Sequence, residues 1–249
     1  TDETGLRNAT WSHNVSGYYE FVNYTLSGTS AQVSNFTTLL SFGVYNFSIS
    51  VRDSSGNERT NDTVITVSTA YMTNCTTLNV TGATYLLQNN VSTPVPSDGV
   101  CFNITANSVT LDCQGMFVNG SDDGYGVYAE SVQGITVRNC TMWNWGNGGT
   151  EAGIYFTNVG NSTIRDVNAS IDYYGIYLSS SSQNNISAIT ANSNTLRGLH
   201  ITGSSSSTLS QINTRSNSDT GIYLISSSNS NTITNITANS NSAHGIYID

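Results

Sequence analysis

A short phrase returns at nearly fixed distance through the second half of the chain and limits the fold more than any other feature. It reads Gly-Val-Tyr at Gly126, Gly-Ile-Tyr at Gly153, Gly175, Gly221 and Gly245, and Gly-Leu-His at Gly198, at intervals of 27, 22, 23, 23 and 24 residues. A period in this range belongs to stacked units rather than to one globular core, and each unit contacts mainly its two neighbours. Within the phrase, apolar residues fall two apart, as in Ile154-Tyr155-Phe156 and Ile222-Tyr223-Leu224. That alternation is a strand with one buried face. A second apolar pair follows at spacing three: Ile164 and Val167, Ile186 and Ile189, Leu209 and Ile212, Ile233 and Ile236. The extra residue between inward positions predicts a corner, held by Asn139, Asp166, Ala188, Gln211 and Asn235 in successive units. Ser/Asn-rich stretches such as 238–242 are expected to close each unit by bonding their own backbone.

Two or three short strands per unit, all pointing one way, describe a parallel β-helix. The leucine-and-asparagine consensus of a leucine-rich repeat is missing. Gly, Ser, Thr and Asn are poor helix formers, and no 3.6-residue stripe supports a bundle. The pattern resembles the right-handed β-helix family of carbohydrate-binding and sugar-hydrolase repeats, also met in periplasmic copper-assembly proteins. The resemblance covers residues 72–249, with residues 99–115 similar to a first full coil. It implies an all-β, right-handed parallel β-helix solenoid over 70–249, with an N-terminal cap at 70–98, about six coils over 99–244 and a further coil opening at Gly245. It settles fold and leaves function open.

Residues 1–69 differ. Strand-like runs at 9–15, 18–26, 32–39, 44–51 and 63–67 are separated by turns, including one at 53–57. Residues 43–57 and the closing 64–67 resemble the latter part of an immunoglobulin-like module of cell-surface proteins. The resemblance implies a small N-terminal β-sandwich that lacks its opening strands, since a full one has about seven strands.

Composition removes several function classes. The chain contains seven arginines and no lysine, with a formal net charge of −9. It cannot build the basic stripe that nucleic acid requires, and anionic membranes would repel it. No apolar run reaches the ~18 residues of a membrane span. Thr1-Asp2-Glu3 does not open a signal peptide, so a mature form or an excised portion is expected.

Sixteen Asn-X-Ser/Thr sequons occur, at Asn8, Asn14, Asn23, Asn35, Asn46, Asn61, Asn74, Asn79, Asn90, Asn103, Asn119, Asn139, Asn161, Asn168, Asn185 and Asn235. With 31 asparagines, and Ser plus Thr at 70 of 249 positions, chance supplies about nine. Asn46 lies between inward-facing Tyr45 and Phe47, and Asn103 between Phe102 and Ile104, so both are expected to face solvent. Covalent N-linked glycans and an extracellular, cell-surface location follow as expectations. Sequon abundance without lysine is similar to archaeal surface proteins.

Four cysteines, Cys75, Cys101, Cys113 and Cys140, allow three pairings outside the cytosol. Cys101 precedes inward Phe102 and is expected to point outward, toward the segment that holds Cys75. Cys113 and Cys140 share a corner of adjacent coils only about 4.8 Å apart. The pairing expected is Cys75 with Cys101 and Cys113 with Cys140. No zinc spacing appears among these cysteines, and His13, His200 and His244 show no ligand pattern, so no metal or other cofactor is expected.

The outward positions of the repeated strand form a column of Tyr128, Tyr155, Tyr177, His200, Tyr223 and Tyr247. It reads as an in-register stack or as a face for sugars or a partner. Residues 143–149, with Trp143 and Trp145, read as an enlarged loop whose tryptophans either pack on the flank or stack on sugar. Asp123, Glu151, Asp172 and Asp219 recur near the same strand, where sugar-cleaving relatives of this fold place carboxylates. Arg197 is the sole cation nearby. The reading favoured is a non-enzymatic, N-glycosylated extracellular structural protein: a subunit of a filament, pilus-like fibre or surface layer. Copies of itself would join head to tail through open β edges, with Ile246, Tyr247 and Ile248 at one of them. The alternative is a polysaccharide-binding protein or a glycoside hydrolase or lyase of the β-helix type, with surface glycans as ligand.

Overall fold

The computed structural model describes residues 6–13, 20–25, 43–92 and 99–249. The chain divides into two compact units, Thr1–Ser68 and Thr69–Asp249. In the first, β1 (Leu6–His13), β2 (Glu20–Thr25), β3 (Gly43–Asp53) and β4 (Glu58–Val67) form one antiparallel sheet in the order β2-β1-β3-β4. Along β3 the residues alternate as period two requires: Tyr45 and Phe47 are buried and Asn46 between them is exposed. The hairpin to β4 turns where the Asp53 carboxylate accepts the N–H groups of Ser55 and Asn57. Among the described residues this unit is a single antiparallel sheet, and the strand expected at 32–39 lies outside them.

The second unit is a solenoid of two parallel sheets. The sheet that carries the corners contains β5 (Thr69–Met72), β7 (Thr84–Leu87), β9 (Thr110–Asp112), β12 (Thr136–Trp143), β14 (Thr163–Ser170), β16 (Asn185–Thr190), β18 (Thr208–Asn213) and β20 (Thr232–Thr237), with β10 (Phe117–Asn119) beside β12. The sheet that carries the glycine phrase contains β6 (Thr76–Leu78), β8 (Val100–Ile104), β11 (Tyr125–Glu130), β13 (Ala152–Thr157), β15 (Tyr174–Ser179), β17 (Arg197–Thr202), β19 (Ile222–Ile225) and β21 (Ile246–Ile248). Successive coils add one strand to each sheet, so apolar residues one period apart stack in register. Val127, Ile154, Ile176, Leu199 and Ile222 form one such column and Val137, Ile164, Ile186 and Leu209 another, all fully buried.

The corner residues read from the spacing of three all take the left-handed conformation, with φ of 54° at Asn139, 55° at Asp166, 53° at Ala188, 55° at Gln211 and 53° at Asn235. One residue turned this way lets the strand bend and return its next side chain to the core. The glycine of the phrase has a different cause. A Cβ on Gly198 would lie 2.7 Å from the carbonyl oxygen of Gly221 and 2.9 Å from that of Ala191. Close approach of backbones, not a special φ, excludes a side chain there.

Two expectations change. Within 70–98, read as a cap, β5 and β6 already pair in register with β7 and β8, so this stretch builds coil; its loop at 93–98 lies outside the described residues. Cys101, expected to face outward, is buried beside Phe102. Both disulfides form as expected, Cys75–Cys101 and Cys113–Cys140, with Cα atoms 4.4 and 4.8 Å apart, and each ties one coil to the next. Such bridges belong to an oxidising environment. No helix of the described residues is long and apolar enough to cross a membrane.

Candidate functional site

The aromatic column lies in register: Tyr128, Tyr155, Tyr177, His200, Tyr223 and Tyr247 are successive partners along the phrase sheet. The rings pack on one another, Tyr177 on His200 at 4.4 Å and Tyr223 on Tyr247 at 4.9 Å between centroids. Tyr125 and Tyr174, which alternation alone did not single out, join the same cluster against Tyr155 and Tyr177. Arg197 lies 3.7 Å over the Tyr223 ring while its Nε donates to Asp219. Neighbours therefore cover most ring faces in the middle of the stack. His200, expected as an outward ring, is 7% exposed with both nitrogens unpartnered. Burial, with Arg197 adding to it, lowers its pKa to about 4.

The Ser/Asn turns bond their own backbone as expected, Ser181, Ser204 and Ser228 donating to the carbonyls of Ser179, Thr202 and Ile225, and they also do more. Inside the solenoid they form ladders between coils. Asn241 Oδ1 accepts the N–H of Asn217, Asn217 Oδ1 that of Asn194, and Asn194 Oδ1 that of Asp172, all within 2.9–3.0 Å. The Nδ2 groups of Asn194, Asn217 and Asn241 donate to the carbonyls of Ala169, Ala191 and Thr214. A second ladder runs from Asn231 through Ser207 and Asn184 to Ser162, and a third from Ser228 through Ser204 to Ser181. These buried amides and hydroxyls satisfy turn N–H groups that the sheets leave free. The signal was present in the sequence as Asp172, Asn194, Asn217 and Asn241 at the coil period.

The four acids singled out near the phrase lie in separate environments. Asp172 points inward at the head of the first ladder, 1% exposed; its Oδ1 accepts the Trp145 N–H at 2.9 Å and Oδ2 has no partner. Burial pushes its carboxyl well above the usual range against that one hydrogen bond, and no charge acts on it. Asp219 is paired with Arg197, Glu151 accepts the Asn147 N–H in its loop, and Asp123 is exposed. On the other sheet an open trough of about 620 Å³ follows the left-handed corners past Gln114, Asn139, Thr141, Asp166, Asn168 and Thr190. Its carboxylate among the described lining residues, Asp166, is paired with Arg165. Among the described residues no group of His, Cys, Asp and Glu is placed to hold a metal.

The family described as right handed beta helix region matches residues 125–249, half of the chain, over the coils that carry the ladders and the aromatic column. The chain belongs to the right-handed β-helix family. Searches of curated proteins and of solved structures return no match. The fold is thereby named, while the chemistry of its surface has to be argued from the residues themselves.

The asparagines of this β-helix and its companion sheet sort by sequon. Asn46, Asn61, Asn74, Asn79, Asn90, Asn161, Asn168, Asn185 and Asn235 are exposed, and Asn103, Asn119 and Asn139 are half-buried. Asn184, Asn194 and Asn217, the three asparagines buried within the ladders, all lie outside sequons. Asn8 and Asn23 sit on β1 and β2, and Asn14 and Asn35 lie outside the described residues. Asn139 Nδ2 donates to the Asp112 carboxylate at 2.9 Å, and Asn74 Nδ2 makes a longer bond of 3.4 Å to the Thr73 hydroxyl. Burial alone would raise Asp112, but hydrogen bonds from Asn139 and Gln114, together with Arg138, outweigh it and lower its pKa. Of the two loop tryptophans, Trp145 is buried with Nε1 donating to Val118, whereas Trp143 is 48% exposed.

Proposed function

We propose that this β-helix is a non-enzymatic, N-glycosylated structural protein of the cell surface, assembling with copies of itself. The observation that carries the reading is the separation of its asparagines. Nine sequon asparagines with described side chains are exposed and three are half-buried, Asn119 with its Oδ1 buried and without a hydrogen-bond partner, while the fully buried ones fall outside sequons. A glycan fits only on an accessible amide, and sugar would hydrate the surface of a chain in which 9% of all residues are charged. Absence of catalysis is supported by the uses already made of the acids: ladder, ion pair and loop closure. Ile246 and Ile248 of β21 are exposed in columns buried elsewhere, and a further coil of the same kind, of this chain or of another copy, would cover them.

Glycopeptide mass spectrometry of protein from the cells that make it tests the glycan half. Glycans are expected on most of the nine exposed sequons, with Asn139 bare because its amide is engaged. Unmodified asparagine at all of them would defeat the reading.

A further inference from the structure

Trp143 and Ile171 are the two large apolar side chains exposed on the outer flank of the middle coils, at 48% and 50%. They adjoin: β12 and β14 pair Trp143 with Ser170, and the N–H of Asn144 donates to the carbonyl of Ile171 at 3.1 Å. Ile171 has φ of 64°. The equivalent positions in other coils hold Asn144, Ser193, Ser216 and Ser240, also left-handed, and Ile171 is the one β-branched residue in that conformation among the described residues. A left-handed β-branched residue is strained by about 1–2 kcal/mol. Burial does not compensate here, since half the side chain meets solvent. The apolar pair therefore serves something outside the polypeptide packing.

The register supplies the occupant. On the other side of Trp143, β10 pairs with β12 so that Asn119 is the direct partner of Trp143. Asn119 opens the sequon Asn119-Gly120-Ser121. Side chains in register on neighbouring parallel strands share a face and stand about 4.8 Å apart. A pyranose attached at Asn119 Nδ2 would therefore leave the sheet beside the indole, and the apolar C–H face of a sugar suits an aromatic ring. We propose that Asn119 carries an N-linked glycan whose first sugars rest on Trp143, with Ile171 extending the platform. The inference rests on the glycosylation reading above. Trp143 then acts as a fixed seat that holds one glycan against the solenoid.

Glycopeptide mapping of Asn119 and melting of Trp143→Ala, Trp143→Phe, Asn119→Gln and Trp143→Ala/Asn119→Gln, all made in the native host, test this. Asn119 is expected to be occupied. Trp143→Ala should lower Tm by about 2–4 °C when Asn119 is present, well below that in the Asn119→Gln background, and Trp143→Phe should retain most of the effect. A bare Asn119 with glycans at other sequons overturns this inference and leaves the glycosylated surface standing. Bare sequons throughout overturn both. An equal loss in the two backgrounds makes Trp143 a packing residue and also overturns it.

Discussion

The rungs in the middle of the solenoid and the rung at Ile246–Ile248 carry the same phrase but not the same environment. Leu199 and Ile222 are fully buried, whereas Ile246, next in their column, is 41% exposed; Leu224 is buried and Ile248 beside it is 64% exposed. Among the described residues the middle rungs have a coil on each side and β21 has one on a single side. Burial in a solenoid is conferred by a neighbour on each side, so a rung is as stable as the coil that covers it. The apolar side chains of one coil do not offset the cost of ordering its backbone.

The largest test of the contrast is in the core. Leu199→Ala should cost about 2–5 kcal/mol in denaturant unfolding, because both neighbours hold the cavity open. Ile246→Ala, measured on dispersed protein, should cost under about 1 kcal/mol. A loss at Ile246 as large as at Leu199 would show that the last rung is covered already. The ladders repeat the contrast at smaller scale. Asn217→Ala strands the N–H of Asn194 and the carbonyl of Ala191 inside the solenoid, a loss of about 1–3 kcal/mol. Asn241, half-buried on the last coil, should lose less on the same change, and thermal melts of the two variants compare them.

Two buried titrating groups give the middle coils a pH signature. Asp172 has a folded pKa raised above its ordinary 3.8. Both states bind the proton below that value, and as pH rises the unfolded chain releases it first, so stability falls toward the folded pKa. Asp172→Asn, which continues the asparagine ladder, should melt higher than wild type at pH 8 and converge with it near pH 4. His200 works in the opposite direction. Its folded pKa of about 4 lies below the usual 6.5, so stability falls as pH drops from 6.5 toward 4. His200→Tyr should flatten that acid limb by a smaller margin, since ring packing against Tyr177 and Tyr223 adds a cost of its own. Parallel Tm–pH curves for wild type and Asp172→Asn would refute the interior assignment of that carboxyl.

Much of this architecture was legible in the residues. The spacing of three between Ile164 and Val167 marked the corner, and φ at Asp166 fulfils it, because only one extra residue separates two inward positions. The Cys113–Cys140 bridge followed from the same coil geometry, whereas Cys75–Cys101 forms although Cys101 is buried and not outward as expected. What stayed hidden was the direction of polar turn residues. Asn185 and Asn184 are adjacent and chemically identical, yet one is exposed and the other forms part of a ladder. The choice is made by an N–H in the previous coil, some 22 residues away. Asp172 was misread as an outward acid for the same reason: a turn aspartate and a ladder asparagine occupy one position, and only the stacked coil reveals it. Trp143 and Trp145 likewise differ only in which lies over a coil.

Electron microscopy of native material, across a dilution series, tests the self-assembly claim most directly. If copies of the chain join head to tail, particles many coils longer than one chain should appear. Discrete single-chain particles at every concentration would contradict the account.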